Sequence, residues 1–144
     1  MRLSAVRLKL NPLRAGIEGK RVVLVDDSIV RGTTSEKIVS SLKAAGAKEV
    51  HMRISSPPFI FTCRYGTDID NMENLIANRM SLEGICRKIG ADSVGYISLN
   101  GLKRSCEKCT VSFCCACFTG EGDHQEINKD VLEADNKQRY TVNK

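Results

Sequence analysis

Two groups of residues in this chain have side chains whose type and spacing could do chemistry. The first is the string VVLVDDSIVRGTT, residues 22–34, where an apolar run meets two adjacent carboxylates, Asp26 and Asp27, and then a short loop of small and polar residues. Neighbouring carboxylates raise each other's pKa unless a cation or several hydrogen-bond donors compensate, so a divalent metal or a polyhydroxyl ligand is their natural partner. Ser28 to Thr34 lead into a helix pattern whose first amides are unpaired. The dipole of such a helix favours an anion by about 0.3–1 kcal/mol, up to roughly 2 kcal/mol when partly buried. Gly32 lets the backbone approach closely, and the hydroxyls of Thr33 and Thr34 add hydrogen bonds, which suits a phosphate. An isolated Asp-Asp pair makes turns and an isolated Thr-Thr caps helices, so the turn-and-cap reading stands beside the ligand reading.

The second group is the cysteines. There are seven, and five of them (Cys106, Cys109, Cys114, Cys115 and Cys117) crowd into one short stretch. An odd number with no secretory leader is a poor basis for a disulfide framework, so metal or cluster ligation is the better reading. Cys114 and Cys117 have C-x-x-C spacing, and soft thiolates suit iron–sulfur or zinc equally well. One local set is Cys106, Cys109, Cys114 and Cys117, although zinc ribbons usually separate their two pairs by a dozen or more residues. Cys86 lies in a helical pattern as a small core residue, and Cys115 is a neighbour rather than a ligand.

The elements that must position these groups follow from periodicity. Val22 to Val25 form a continuous apolar run, the pattern of a central strand covered on both faces. From Thr34, residues Ile38, Val39, Leu42 and Ala45 recur at helical spacing, with Ser35, Lys37, Ser40 and Lys43 on the other face and Gly46 as the C-cap. Val50, Met52 and Ile54 alternate with His51, Arg53 and Ser55 until Pro57 and Pro58, which predicts a second, half-exposed strand and completes a right-handed βαβ unit. Ser81 caps a helix through Lys88 that ends at Gly90, and Ser93 to Leu99 reads as a third strand. The pattern dissolves after Gly101. In the polar tail only Ile127, Val131 and Leu132 keep helical spacing, as in a short surface helix or a frayed end. Three strands leave a doubly covered VVLV strand short of neighbours, so further strands are expected upstream of Met1.

Composition bounds the function. At 144 residues with 42% hydrophobic content the chain can bury a core, and it has no apolar run of membrane-spanning length and no signal-like start. A cytoplasmic protein without membrane attachment is expected. The net charge of +5 suits an anionic ligand, but the basic residues are scattered without an aromatic ladder, so nucleic acid is not an expected partner. His51 on a strand face and His124 in the tail read as surface residues, as do Tyr96 and Arg53 as strand-face residues. Arg31, inside the loop, is placed to meet ligand or solvent.

VVLVDDSIVRGTT resembles the phosphoribosyl pyrophosphate (PRPP) motif of type I phosphoribosyltransferases. More narrowly, VRLKLNPL, DDSIVRGTTS, AGAKEVHMRISSPP, GADSVGYISL and CFTG resemble, in this order, the C-terminal part of amidophosphoribosyltransferases over residues 1 to about 121. The resemblance implies an α/β fold: part of a type I phosphoribosyltransferase with a Rossmann-like parallel sheet at 1–105, a cysteine-rich metal or cluster segment at 106–121, and a polar tail at 122–144. It implies that Asp26 and Asp27 bind the ribose hydroxyls and help hold Mg2+ on PRPP. It places the 5-phosphate on Ser28, Ile29, Val30, Arg31, Gly32, Thr33 and Thr34. It also implies a [4Fe-4S] cluster on Cys63, Cys114 and Cys117 with a fourth ligand outside this chain. The implied reaction transfers ammonia from glutamine to PRPP, giving 5-phosphoribosylamine in the first step of purine synthesis. The expected partners are the N-terminal glutaminase and upstream transferase portions of the same enzyme, as a homo-oligomer when complete. No N-terminal cysteine nucleophile follows Met1, so this chain is expected to be inactive alone. The other reading is a non-catalytic phosphoribosyl-binding or metal-cluster-binding fragment.

Overall fold

The computed structural model describes residues 14–63, 69, 71–108 and 113–121. A short helix α1 (Arg14–Ile17) leads into β1 (Arg21–Asp26), α2 (Thr33–Ala44) and β2 (Glu49–Ile54). A 3-10 turn at Met72–Asn74 precedes α3 (Ile76–Arg79), α4 (Leu82–Ile89), β3 (Ser93–Tyr96), α5 (Leu99–Ser105) and α6 (Ala116–Thr119). The strands form one parallel sheet in the order β1-β2-β3, with Val22 opposite Val50, Asp26 opposite Ile54, and Met52 opposite Val94. Parallel neighbours require crossovers, and α2 and α4 supply them.

The alternation in β2 sends Val50, Met52 and Ile54 to one face, where they are buried with Val94 against Val39 and Leu42 of α2 and Ile85 and Ile89 of α4. Full burial of one such aliphatic side chain stabilises the fold by about 1.5–3 kcal/mol, so this layer is the main source of stability in the βαβ unit. The helix ends follow local chemistry. Ser81 caps α4 by accepting a hydrogen bond from the Gly84 amide at 3.2 Å, and Gly90 closes that helix in the left-handed conformation. At the far end of α2, Asp92 accepts hydrogen bonds from Lys43 and, at 2.6 Å, from the Val50 amide, which joins α2 to the entry of β3.

Several expectations need correction. Val22 to Val25 do not form the central strand of the described sheet. That place belongs to β2; β1 lies at the edge, and its Val23 and Val25 are 63% and 70% exposed. A continuous apolar run reports the cover a strand is built for, while its place in the sheet order depends on neighbours remote in sequence. β3 stops at Tyr96, short of the Leu99 expected from the sequence, because Ser98 caps a new helix by accepting from the Gly101 amide at 3.0 Å. Leu99, read as the end of that strand, and residues 102–105, read as patternless, are therefore helical. Ser35, read onto the polar face of α2, is buried, since it lies four residues before Val39 on the same side of the helix. The tail with His124, Ile127, Val131 and Leu132 lies outside the described residues.

Candidate functional site

The acidic pair stands where β1 ends. Asp26 is the last residue of the strand, and its carbonyl accepts from the Ser55 amide at 3.0 Å and the Ser55 hydroxyl at 3.1 Å, which fixes the strand end to β2. The Asp27 amide donates to Asp26 Oδ1 and the Ser28 hydroxyl donates to Asp27 Oδ1, each at 3.0 Å. Asp26 is half-buried and Asp27 exposed, both at the carboxyl edge of a parallel sheet, where open α/β folds bind ligands.

The loop that follows is anchored from below and open above. Ile29 is buried in the main core, and Val30 packs against the second apolar cluster of Phe59, Ile69 and Leu75. Arg31, Thr33 and Thr34 are exposed. Gly32 is the N-cap of α2 with φ of 81°, in the left-handed region. The first helical hydrogen bond runs from the Glu36 amide to the Gly32 carbonyl at 2.9 Å, so the amides of Thr33, Thr34 and Ser35 precede it. A glycine N-cap contributes no side chain to those amides, which leaves the helix start suited to an outside anion.

The cysteines implied in cluster binding come together from distant parts of the chain. The Ile60 and Phe61 amides both donate to the Cys117 carbonyl at 3.1 Å. The Phe61 ring lies so close to Gly120 that a Cβ there would meet it at 2.6 Å, and Phe59 stacks on Phe118 with centroids 4.9 Å apart. These contacts carry Cys63 to Cys117. Burial pushes the Cys117 thiol up to about 11, and Cys63, Cys114 and Cys115 act in the same direction. A thiolate in that position therefore calls for a compensating cation.

Among the described residues no three His, Cys, Asp or Glu side chains converge to hold a single metal ion. Cys106 caps the C-terminus of α5, and Cys109, the other member of the local zinc set, lies outside the described residues. Cys86 is half-buried and its thiol donates to the Ala91 carbonyl at 3.1 Å, in keeping with a packing role. On the sheet face shared with Val23 and Val25, His51 bonds Ser93 and Glu49, and Arg53 also donates to Ser93.

Three supporting residues were not legible as part of the site. Ser55 secures the strand end, Ile76 donates to the Val30 carbonyl at 2.9 Å, and Asn78 donates to the carbonyls of Ile60 and Met72. For Ser55 the signal was the paired serines just before Pro57; for Ile76 and Asn78 there was none, since their partners lie far off in sequence.

No protein-family profile matches the chain. Among curated proteins, amidophosphoribosyltransferase 1 (chloroplastic) of Arabidopsis thaliana is 59% identical over 116 residues, which is 81% of this chain and 20% of that protein. The amidophosphoribosyltransferases of Methanocaldococcus jannaschii and Synechococcus elongatus are 53% and 49% identical, each with 24% of its length matched. This chain thus spans between a fifth and a quarter of the length of these relatives. Among solved structures, the glutamine PRPP amidotransferase of B. subtilis, complexed with ADP and GMP, superposes with a TM-score of 0.72 at 51% identity. That match covers 85% of this chain and 28% of the other.

Proposed function

We propose, on the premise that this chain is homologous to one segment of the amidophosphoribosyltransferases, that it supplies the ribose 5-phosphate part of a PRPP site in such an enzyme. The observation that carries this reading is the junction of β1 and α2, where two carboxylates at a strand end are followed by a short loop and a glycine-capped helix start. In this reading Asp26 and Asp27 accept hydrogen bonds from the ribose hydroxyls. The amides and hydroxyls of Ser28, Ile29, Val30, Arg31, Gly32, Thr33 and Thr34 surround the 5-phosphate.

The reaction is that of the whole enzyme. Ammonia from glutamine displaces pyrophosphate from C1 of PRPP, giving 5-phosphoribosylamine for purine biosynthesis. As the leaving group departs, the ribose gains positive character, and the contribution of this chain is to hold ribose and phosphate still while charge separates. Magnesium, held in part by Asp26 and Asp27, would neutralise the pyrophosphate. Cys63, Cys114 and Cys117 would hold a [4Fe-4S] cluster with a fourth thiolate from elsewhere in the enzyme, cross-linking residues 59–63 to α6. Glutaminase and upstream transferase portions, assembled as a homo-oligomer, complete the proposal. So does a cytoplasmic location, to which the chloroplastic plant relatives oppose another compartment.

Calorimetric titration of the 144-residue chain with ribose 5-phosphate and magnesium tests the binding reading. Saturable binding that disappears in the double variant Asp26→Asn with Asp27→Asn is expected. An affinity unchanged by those substitutions would sink the assignment.

A further inference from the structure

We infer that Ile76 is a positioning residue for the phosphate loop: it grips residues 30–32 from outside the ligand site and so sets the direction of the Thr33, Thr34 and Ser35 amides. The inference rests on the proposed 5-phosphate role of that loop, although its geometric basis needs no ligand. Ile76 opens α3, and its amide donates to the Val30 carbonyl at 2.9 Å. Its Cδ1 meanwhile reaches over Gly32, where a Cβ would lie only 2.7 Å away. One residue thus holds both ends of a three-residue span by two different interactions, with exposed Arg31 between them.

Ile76 is itself held firmly. It is buried in the main core with Ile29 and Ile89. Two residues further on, the Asn78 side-chain amide donates to the carbonyls of Ile60 at 2.9 Å and Met72 at 3.2 Å, fixing the segment that carries it. An isoleucine offers nothing to a phosphate, so any effect of Ile76 on binding acts through the geometry of the loop. Amides that already point at the anion need no ordering when it arrives, and a loop that is ligand-ready for only part of the time binds more weakly by that fraction.

The test uses the full 144-residue chain as wild type, Ile76→Val, which removes Cδ1 alone, and Ile76→Ala. Amide hydrogen exchange is followed at Ile76 and Glu36, which donate to the loop carbonyls of Val30 and Gly32, and at Val50 and Met52 in β2 as controls. Binding of ribose 5-phosphate with magnesium is measured alongside. If Ile76→Ala leaves the loop ligand-ready for about a tenth of the time, affinity falls about tenfold. Exchange at Ile76 and Glu36 should speed up in the order wild type, Val, Ala while β2 keeps its protection. Wild-type exchange at those two amides, acceleration spread evenly through β2, or full affinity in Ile76→Ala would each overturn the inference. Should Ile76→Ala fail to fold, the Ile76→Val comparison decides in the same terms. A wild-type chain that binds no ribose 5-phosphate would remove the ligand assignment, while the exchange rates would still show whether Ile76 holds the loop.

Discussion

Replacing Gly32 with alanine should destabilise the chain by about 2–4 kcal/mol. A side chain at φ of 81° is held in the left-handed region, which costs about 1–2 kcal/mol. The new Cβ also meets Ile76 Cδ1 at 2.7 Å, and Ile89 Cγ2 at an ordinary 3.6 Å. Overpacking of this kind adds typically 1–3 kcal/mol, limited here because the obstructing atom is the far end of a side chain, though one that is buried. Reduced freedom of the unfolded chain returns roughly 0.4–1 kcal/mol. The assay is urea denaturation, with the midpoint falling at constant slope. The two contributions separate in the double variant Gly32→Ala with Ile76→Val, which removes the obstructing Cδ1 and keeps the φ strain. Ile76→Val alone costs about 0.5–1.5 kcal/mol, and the double variant should be less destabilised than the two single variants combined, by about 1 kcal/mol or more. A loss below about 0.5 kcal/mol for Gly32→Ala, or strict additivity with Ile76→Val, would show that the contact between loop and α3 is not as described.

Other consequences follow from the same contacts. Hydrogen bonding from Lys43, then from the Val50 amide, holds the Asp92 carboxyl below its ordinary value. Its contribution to stability is therefore present above the unfolded pKa of about 3.9 and lost as pH falls through the folded value. Asp92→Asn should lower the melting temperature at pH 6, and the gap from wild type should narrow towards pH 3; a gap independent of pH would refute the charge argument. Ser81→Ala removes the cap of α4 and should cost about 1 kcal/mol in chemical denaturation. Anaerobic reconstitution with iron and sulfide should give a brown, oxygen-labile species whose absorbance falls sharply in Cys114→Ser or Cys117→Ser and moderately in Cys63→Ser. A colourless protein with stoichiometric zinc that is lost in Cys106→Ser would favour the local zinc set instead.

The sequence by itself determined the local elements and the chemistry of the loop. β-branched Val22, Val23 and Val25 dictate a strand, the spacing from Ile38 to Leu42 dictates α2, and Ser81 with Gly90 marks both ends of α4; each rests on contacts within a few residues. For the same reason the place of Asp26, Asp27, Gly32, Thr33 and Thr34 at a strand–helix junction was legible. Tertiary structure alone decided that β2 and not β1 lies at the centre of the described sheet, because strand order depends on partners far off in the chain. It alone brought Cys63 beside Cys117, through Phe61 against Gly120 and Phe59 against Phe118. It also set Ile76 over Gly32, a contact that neither segment announces. Periodicity records which way a side chain faces, but the atom it will meet is fixed only when distant elements pack at close to crystal density.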